Sequence, residues 1–178
     1  MPGQTLDIPP GPSLTLVLGG ARSGKSRLAE SLVTATPAPW RYLATAQAFD
    51  DEMVERIAVH RAGRAAGWET DEVPLALAEA LSALPPGCPV LVDCLTLWLS
   101  NVLLAGHDPE AECGRLADVL ARPCGLWVVV ANEVGLGIVP DNALARRFRD
   151  HAGWLNQRIA ATADRVILTA AGLPLRLK

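Results

Sequence analysis

The sequence predicts an α/β fold, a mostly parallel sheet with helices on both faces. Three observations lead there. Short apolar runs alternate with segments of helical length along the whole chain. Several of these runs are apolar without alternation, as expected of strands covered on both sides. Directly after the first run, residues 19–26 read Gly-Gly-Ala-Arg-Ser-Gly-Lys-Ser, a match to the phosphate-loop pattern G-x-x-x-x-G-K-[ST], which makes the expected fold P-loop NTPase-like.

Each element has its own warrant. Leu14–Leu18 is a short apolar run bounded by Gly-Pro-Ser and Gly-Gly, a buried-strand pattern. Lys25–Val33 reads as a helix with Leu28, Ala29 and Leu32 on one side, broken by Pro37 and Pro39. Arg41–Thr45 is a second strand. Asp50–Ala62 is an amphipathic helix whose acidic opening suits the positive end of the helix dipole, and Gly63 suits its end. Pro74–Leu84 is a helix with proline in its first turn, closed by Pro85-Pro86-Gly87. Pro89–Asp93 is a strand, and Cys94–Leu104 an apolar helix. Asp108-Pro109-Glu110 caps a further helix to about Leu120. Leu126–Ala131 is the most strand-like run, Asp141–Ala163 a long helix, and Arg165–Ala170 and Leu173–Leu177 final strands around Gly172. Residues 1–13 read as a flexible leader. They lack the basic and apolar regions of a secretory signal, and 14–178 read as a single domain.

Composition narrows the function. The 178 residues are half hydrophobic and one fifth charged, which allows a sizeable core. A net charge of −3 argues against nucleic acid as partner, and no apolar run reaches the ~18–20 residues that span a bilayer. Cys88, Cys94, Cys113 and Cys124 show no C-x-x-C spacing. They read as free thiols of a cytoplasmic protein. Lysine occurs only at 25 and 178, against fourteen arginines, so an internal catalytic lysine has to be Lys25.

Phosphate oxygens need several donors at short range. Backbone N–H groups along Gly19, Gly20, Ala21, Arg22, Ser23 and Gly24 supply them, provided no Cβ blocks the approach at Gly19 and Gly24. Lys25 adds positive charge at the terminal phosphates. The Ser26 hydroxyl suits Mg²⁺, and the following helix points its positive end at the anion. Parallel sheets of this kind bind ligands beyond the carboxyl ends of their strands. That draws in Thr45-Ala46-Gln47, Asp93 and Asn132-Glu133. Asp93 is placed to hold Mg²⁺ or to cap the helix from Cys94. Glu133 is placed to orient an acceptor hydroxyl. No Asn-Lys-x-Asp guanine tetrad is present, and small-molecule transfer is the favoured class over a switch GTPase or a mechanical ATPase. In the helix from Asp50, Met53, Arg56 and His60 share a face. Imidazole is largely free base at neutral pH and nucleophilic toward phosphorus. A solvated helix face with a bystander histidine remains the alternative from spacing alone. His107 and His151 read as surface residues, His151 pairing with Asp or Arg neighbours. Trp98 and the apolar residues around it suggest a subunit contact, and hence a homo-oligomer.

Taken in order, GGARSGKS, ATAQAFDDEM, RIAVHRAGR, NEVGLGIVP and RFRDHAGWLNQRIAATAD resemble the bifunctional adenosylcobinamide kinase / adenosylcobinamide-phosphate guanylyltransferase family of cobalamin biosynthesis. The resemblance runs from about Leu14 to Lys178. It implies a first step in which ATP or GTP phosphorylates adenosylcobinamide. In a second step GTP gives GMP to a histidine, and adenosylcobinamide phosphate then takes it up as adenosylcobinamide-GDP. The family histidine falls on His60, with Val59 before it. The same resemblance implies that Ala44, Thr45 and Ala46, together with Arg61, Ala62, Gly63 and Arg64, line the nucleotide, and that Glu72 and Asp93 touch it. Mg²⁺ is the implied metal. The alternatives are a monofunctional P-loop kinase of another small alcohol and a non-catalytic nucleotide-binding regulator.

Overall fold

The structure, a computed structural model, describes residues 11–47 and 65–178. Among them it has seven strands, β1 (Ser13–Gly19), β2 (Trp40–Ala44), β3 (Trp68–Glu72), β4 (Val90–Asp93), β5 (Leu126–Asn132), β6 (Arg165–Ala170) and β7 (Leu173–Arg176). The helices are α1 (Lys25–Thr34), α2 (Leu77–Ser82), α3 (Leu95–Leu104), α4 (Pro109–Leu120) and α5 (Ala143–Thr162). All seven strands form one sheet in the order β3-β2-β4-β5-β1-β6-β7, parallel except for the β6–β7 hairpin.

The apolar runs form strands because both of their faces are covered. Leu14, Leu16 and Leu18 of β1 join Val90, Val92, Trp127 and Val129 in a core closed by α2, α3, α4 and α5. Val17, Leu91, Val128 and Val130 face the other way, against Ala29, Leu32 and Val33 of α1. Trp98, which from sequence suggests a subunit contact, is buried inside the first core, and its indole donates to Leu75 O at 2.9 Å. The apolarity of α3 is therefore explained within one chain: Leu95, Trp98, Leu99 and Val102 pack on the sheet, and Leu104 at its end is exposed.

Most expected elements lie within a few residues of their predicted bounds, and three differ. β3, Trp-Glu-Thr-Asp-Glu, is not among the predicted strands. It is an edge strand with little apolar content, fastened by Trp68 against Trp40 and Tyr42 and by Arg41 bridging Glu69 at 3.0 Å and Asp71 at 3.4 Å. The helix expected over Pro74–Leu84 shortens to α2, because Pro74 O and Leu75 O accept bonds from Asn101 and Trp98 instead of starting a helix. The expected leader ends too late: Ser13 is buried, opens β1 and donates its N–H to Gly125 O. The predicted helix Asp50–Ala62 lies outside the described residues.

Candidate nucleotide site

The carboxyl ends of the parallel strands bring most of the predicted residues together. Cross-strand register sets Ala44 opposite both Glu72 and Asp93, and Gly19 opposite both Asn132 and Thr169. One edge of the sheet thus carries, in spatial order, Glu72, Ala44, Asp93, Asn132, Gly19 and Thr169.

At the centre of that edge, residues 20–24 turn from β1 into α1. Ser23 N bonds Gly20 O, Leu28 N bonds Gly24 O, and Lys25 Nζ donates to Gly20 O at 3.0 Å. Gly24 precedes α1 at φ +95°, and Arg22 also sits at positive φ. Only glycine adopts the Gly24 conformation without strain. A side chain there would also meet Gly172 Cα at 3.2 Å. Gly19 is required for a reason the sequence does not disclose. A Cβ at that position would run into the Ser23 side chain and lie 2.6 Å from Thr169 O, whereas one on Gly20 would meet nothing. Packing against β6 and Ser23 is thus enough by itself to require glycine at 19. The β6–β7 turn closes on the loop from the other side, Gly172 N donating to Ser23 O at 2.8 Å.

Asp93 ends β4 half-buried, and its carboxylate accepts a hydrogen bond from the Tyr42 hydroxyl at 2.8 Å. It does not cap α3, since Cys94 is the N-cap residue. Tyr42 is a site residue that sequence reasoning missed. The signal available was that the chain's single tyrosine lies two residues before the end of a strand. The Ser26 hydroxyl and the Asp93 carboxylate supply hard oxygen donors of the kind Mg²⁺ takes. The second Asp93 oxygen is left out of the Tyr42 bond, so the residues present fit the ion.

Thr45 requires a correction. It is fully buried, its hydroxyl donates to Cys94 O and accepts from Cys94 N, and its carbonyl accepts from Asn101 Nδ2. With every polar group of Thr45 committed inside the protein, its part is to hold the ends of β2 and β4 together. Ala44 and Ala46 are partly exposed beside it. Asn101, unremarked in the sequence, ties Thr45 O and Pro74 O into one corner.

On the other side of β4, Asn132 has its backbone N–H bonded to Thr96 Oγ1 at 2.6 Å, while its Oδ1 is buried without a partner. Ser23 Oγ and Thr169 Oγ1 are in the same condition. Buried polar atoms are nearly always satisfied; Ser23 lies within the phosphate loop, and Asn132 and Thr169 flank Gly19 at its start. Glu133 N donates to Gly19 O, and Glu133 Oε1 accepts from Gly135 N at 2.7 Å, so that carboxylate shapes its own loop. Burial pushes the Cys94 thiol up to about 11, with the Asp93 charge adding to it, and no ready thiolate stands at this edge. His107 is exposed in its loop, and His151 packs edge-on against Trp154 at 5.2 Å while Asp150 pairs with Arg149 instead. His60, Arg61, Ala62, Gly63 and Arg64 lie outside the described residues.

Comparison with known proteins decides the family. Residues 15–177 match the family model CobU, "Cobinamide kinase / cobinamide phosphate guanyltransferase". This chain belongs to that cobinamide kinase / guanyltransferase family. It is 53% identical to the bifunctional adenosylcobalamin biosynthesis protein CobP of Pseudomonas aeruginosa over 167 residues, 92% of this chain and 96% of that protein. It is 44% identical to the bifunctional protein CobU of Salmonella typhimurium over 181 residues, 93% of this chain and 99% of the relative. Among solved structures, Pyrococcus horikoshii PH0250 is similar with TM-score 0.53 at 13% identity, covering 93% of this chain and 86% of its own. FlaH of Methanocaldococcus jannaschii has TM-score 0.51 at 14% identity over 95% of this chain and 79% of its own. Those two likenesses concern the fold alone. The kinase / guanyltransferase thus carries the expected P-loop NTPase-like fold, with the phosphate loop on a central strand. No helix of the described residues is long and apolar enough to cross a membrane.

Proposed function

We propose that this protein is a bifunctional enzyme of cobalamin biosynthesis. It phosphorylates adenosylcobinamide with ATP or GTP, then transfers GMP from GTP through a guanylyl-histidine at His60 to give adenosylcobinamide-GDP. The observation that carries this reading is a complete phosphate loop, oriented by β1 and α1, in a chain that matches the kinase / guanyltransferase family almost end to end.

In the kinase step, the loop N–H groups and Lys25 hold the triphosphate, with Ser26 and Asp93 as the Mg²⁺ ligands. A bound ion would supply neutralisation of the triphosphate's negative charge. Tyr42 holds the Asp93 carboxylate in place from β2. Ala44, Ala46 and Glu72 border the nucleotide on the β2 and β3 side, joined by Arg61–Arg64. In the second step the His60 imidazole attacks the α-phosphorus, the bond to pyrophosphate breaks, and Arg61 and Arg64 stabilise the charge that builds up. The acceptor phosphate then displaces the imidazole. Residues 13–178, from the first residue of β1 onward, form one kinase / guanylyltransferase domain. The four free cysteines suit a cytoplasmic setting. For a homo-oligomer, the exposed Leu173 and Leu175 on β7, at an outer edge of the sheet, offer the apolar surface to bury.

Incubation with GTP labelled at the α-phosphate is expected to leave acid-labile, alkali-stable label on the chain. His60→Ala abolishes the label and retains ATP-dependent phosphorylation of cobinamide. Wild-type protein that phosphorylates cobinamide yet never takes up label would leave a monofunctional kinase in place of this proposal.

A further inference from the structure

The loop 133–142 leaves the carboxyl end of β5 and leads into α5. It is tied down at both ends. Glu133 N bonds Gly19 O of the phosphate loop at 3.2 Å, and Glu133 Oε1 takes Gly135 N. At the far end Arg146 donates to Pro140 O at 2.9 Å and to Asp141 O at 2.6 Å, and Asn142 caps α5 through Ala145 N. Between these anchors the side chains point away from the protein. Leu136 is 89% exposed, Ile138 97% and Val139 59%, with Leu144 exposed in the first turn of α5. Residues 134–140, Val-Gly-Leu-Gly-Ile-Val-Pro, carry no charge. Grouped large apolar side chains standing in water beside a functional site mark a docking surface.

We infer that this loop is the platform on which the corrin ring of the acceptor rests, with Leu136 and Ile138 as its main contacts. The inference rests on cobinamide being the acceptor. The hydroxyl to be phosphorylated sits on a short aminopropanol arm, so when it reaches the γ-phosphate the macrocycle has to lie just outside the phosphate site. The loop is the element attached to that site through Gly19. The chemistry also matches. The ring presents methyl groups and neutral amides, which suit the uncharged apolar side chains of this loop. A charged rim would suit it less, because solvated charges give up hydration without gaining a partner.

Leu136→Ser with Ile138→Ser tests the assignment. The side chains support nothing beneath them, so the fold stays intact. Burying one such side chain is worth about tenfold or more in affinity. The double variant is expected to raise the KM for cobinamide by roughly tenfold to a hundredfold, with kcat at saturation within about twofold and GTP affinity unchanged. An unmoved cobinamide KM against an active wild type overturns the platform. If sedimentation also shows a smaller assembly, the loop belongs instead to a contact with a second copy. A wild-type protein that never phosphorylates cobinamide overturns the acceptor, and the platform with it; the two failures are distinguished by that wild-type rate.

Discussion

At the scale of single residues, neighbouring glycines of the phosphate loop have opposite reasons to exist. Gly19 is hemmed in by Thr169 O and the Ser23 side chain, while Gly20 faces open space at an ordinary φ. Gly19→Ala should lose about 1–3 kcal/mol of stability, the usual cost of overpacking. Gly20→Ala should stay within about 0.5 kcal/mol of wild type. Urea unfolding of the two variants checks this, and equal losses would show that the loop is not packed as described. The left-handed turn at Gly24 was legible in the sequence because its cause is local to eight consecutive residues. The roles of Tyr42, Thr45 and Asn101 were not. Their partners lie 51, 49 and 56 residues away, and nothing in the spacing announces such contacts. Asn132 stands between these cases. Its place at a strand end was readable, but its buried, unpartnered Oδ1 appears only once Thr96 and the phosphate loop pack around it.

At the scale of elements, legibility followed burial. Strands covered on both faces declare themselves as apolar runs, and β1, β4 and β5 did. β3 is held at an edge by ion pairs and one indole, so its Glu-Thr-Asp-Glu stretch looks like a loop until Arg41 is placed opposite it. The β6–β7 hairpin was readable as two strands around Gly172, but its service to the phosphate loop was not. Its turn, with Ala171 at φ +51° and Gly172 at φ +79°, sends Gly172 N into Ser23 O. Gly172→Ala should cost about 1 kcal/mol from the left-handed backbone alone, and should also weaken nucleotide binding several-fold by loosening that bond. Gly106→Ala is the control. It has φ +75° and open space around it in a different loop, so it carries the same strain without touching the site. Calorimetric titration with GTP separates the two, and equal nucleotide affinity in both variants would remove the hairpin from the site's support.

At the scale of the whole molecule, the sheet order decides where the chemistry sits, and order is what the sequence conceals most. Alternating strands and helices imply a parallel sheet, yet nothing local says that β1 lies between β5 and β6, which is what sets Asn132 and Thr169 on either side of Gly19. The same close packing leaves a signature in the pH dependence of stability. Burial raises both the Cys94 and Cys113 thiols from 9.0 to about 11. The folded state therefore keeps its protons where the unfolded chain has begun to release them. Stability from this source is complete below pH 9, falls as pH rises from 9 to 11, and levels off once both states are deprotonated. For Cys94 alone the loss approaches about 2–3 kcal/mol, since each pKa unit corresponds to about 1.4 kcal/mol; Cys113 acts in the same direction. Urea unfolding at pH 7, 9 and 10.5 should show wild-type stability dropping steeply over the last interval. The double variant Cys94→Ala, Cys113→Ala should start lower, because two small core side chains are trimmed, and then fall less over that interval. Parallel curves for the two proteins would mean that these thiols titrate as freely in the fold as outside it, which side chains packed against the sheet at both sites cannot do.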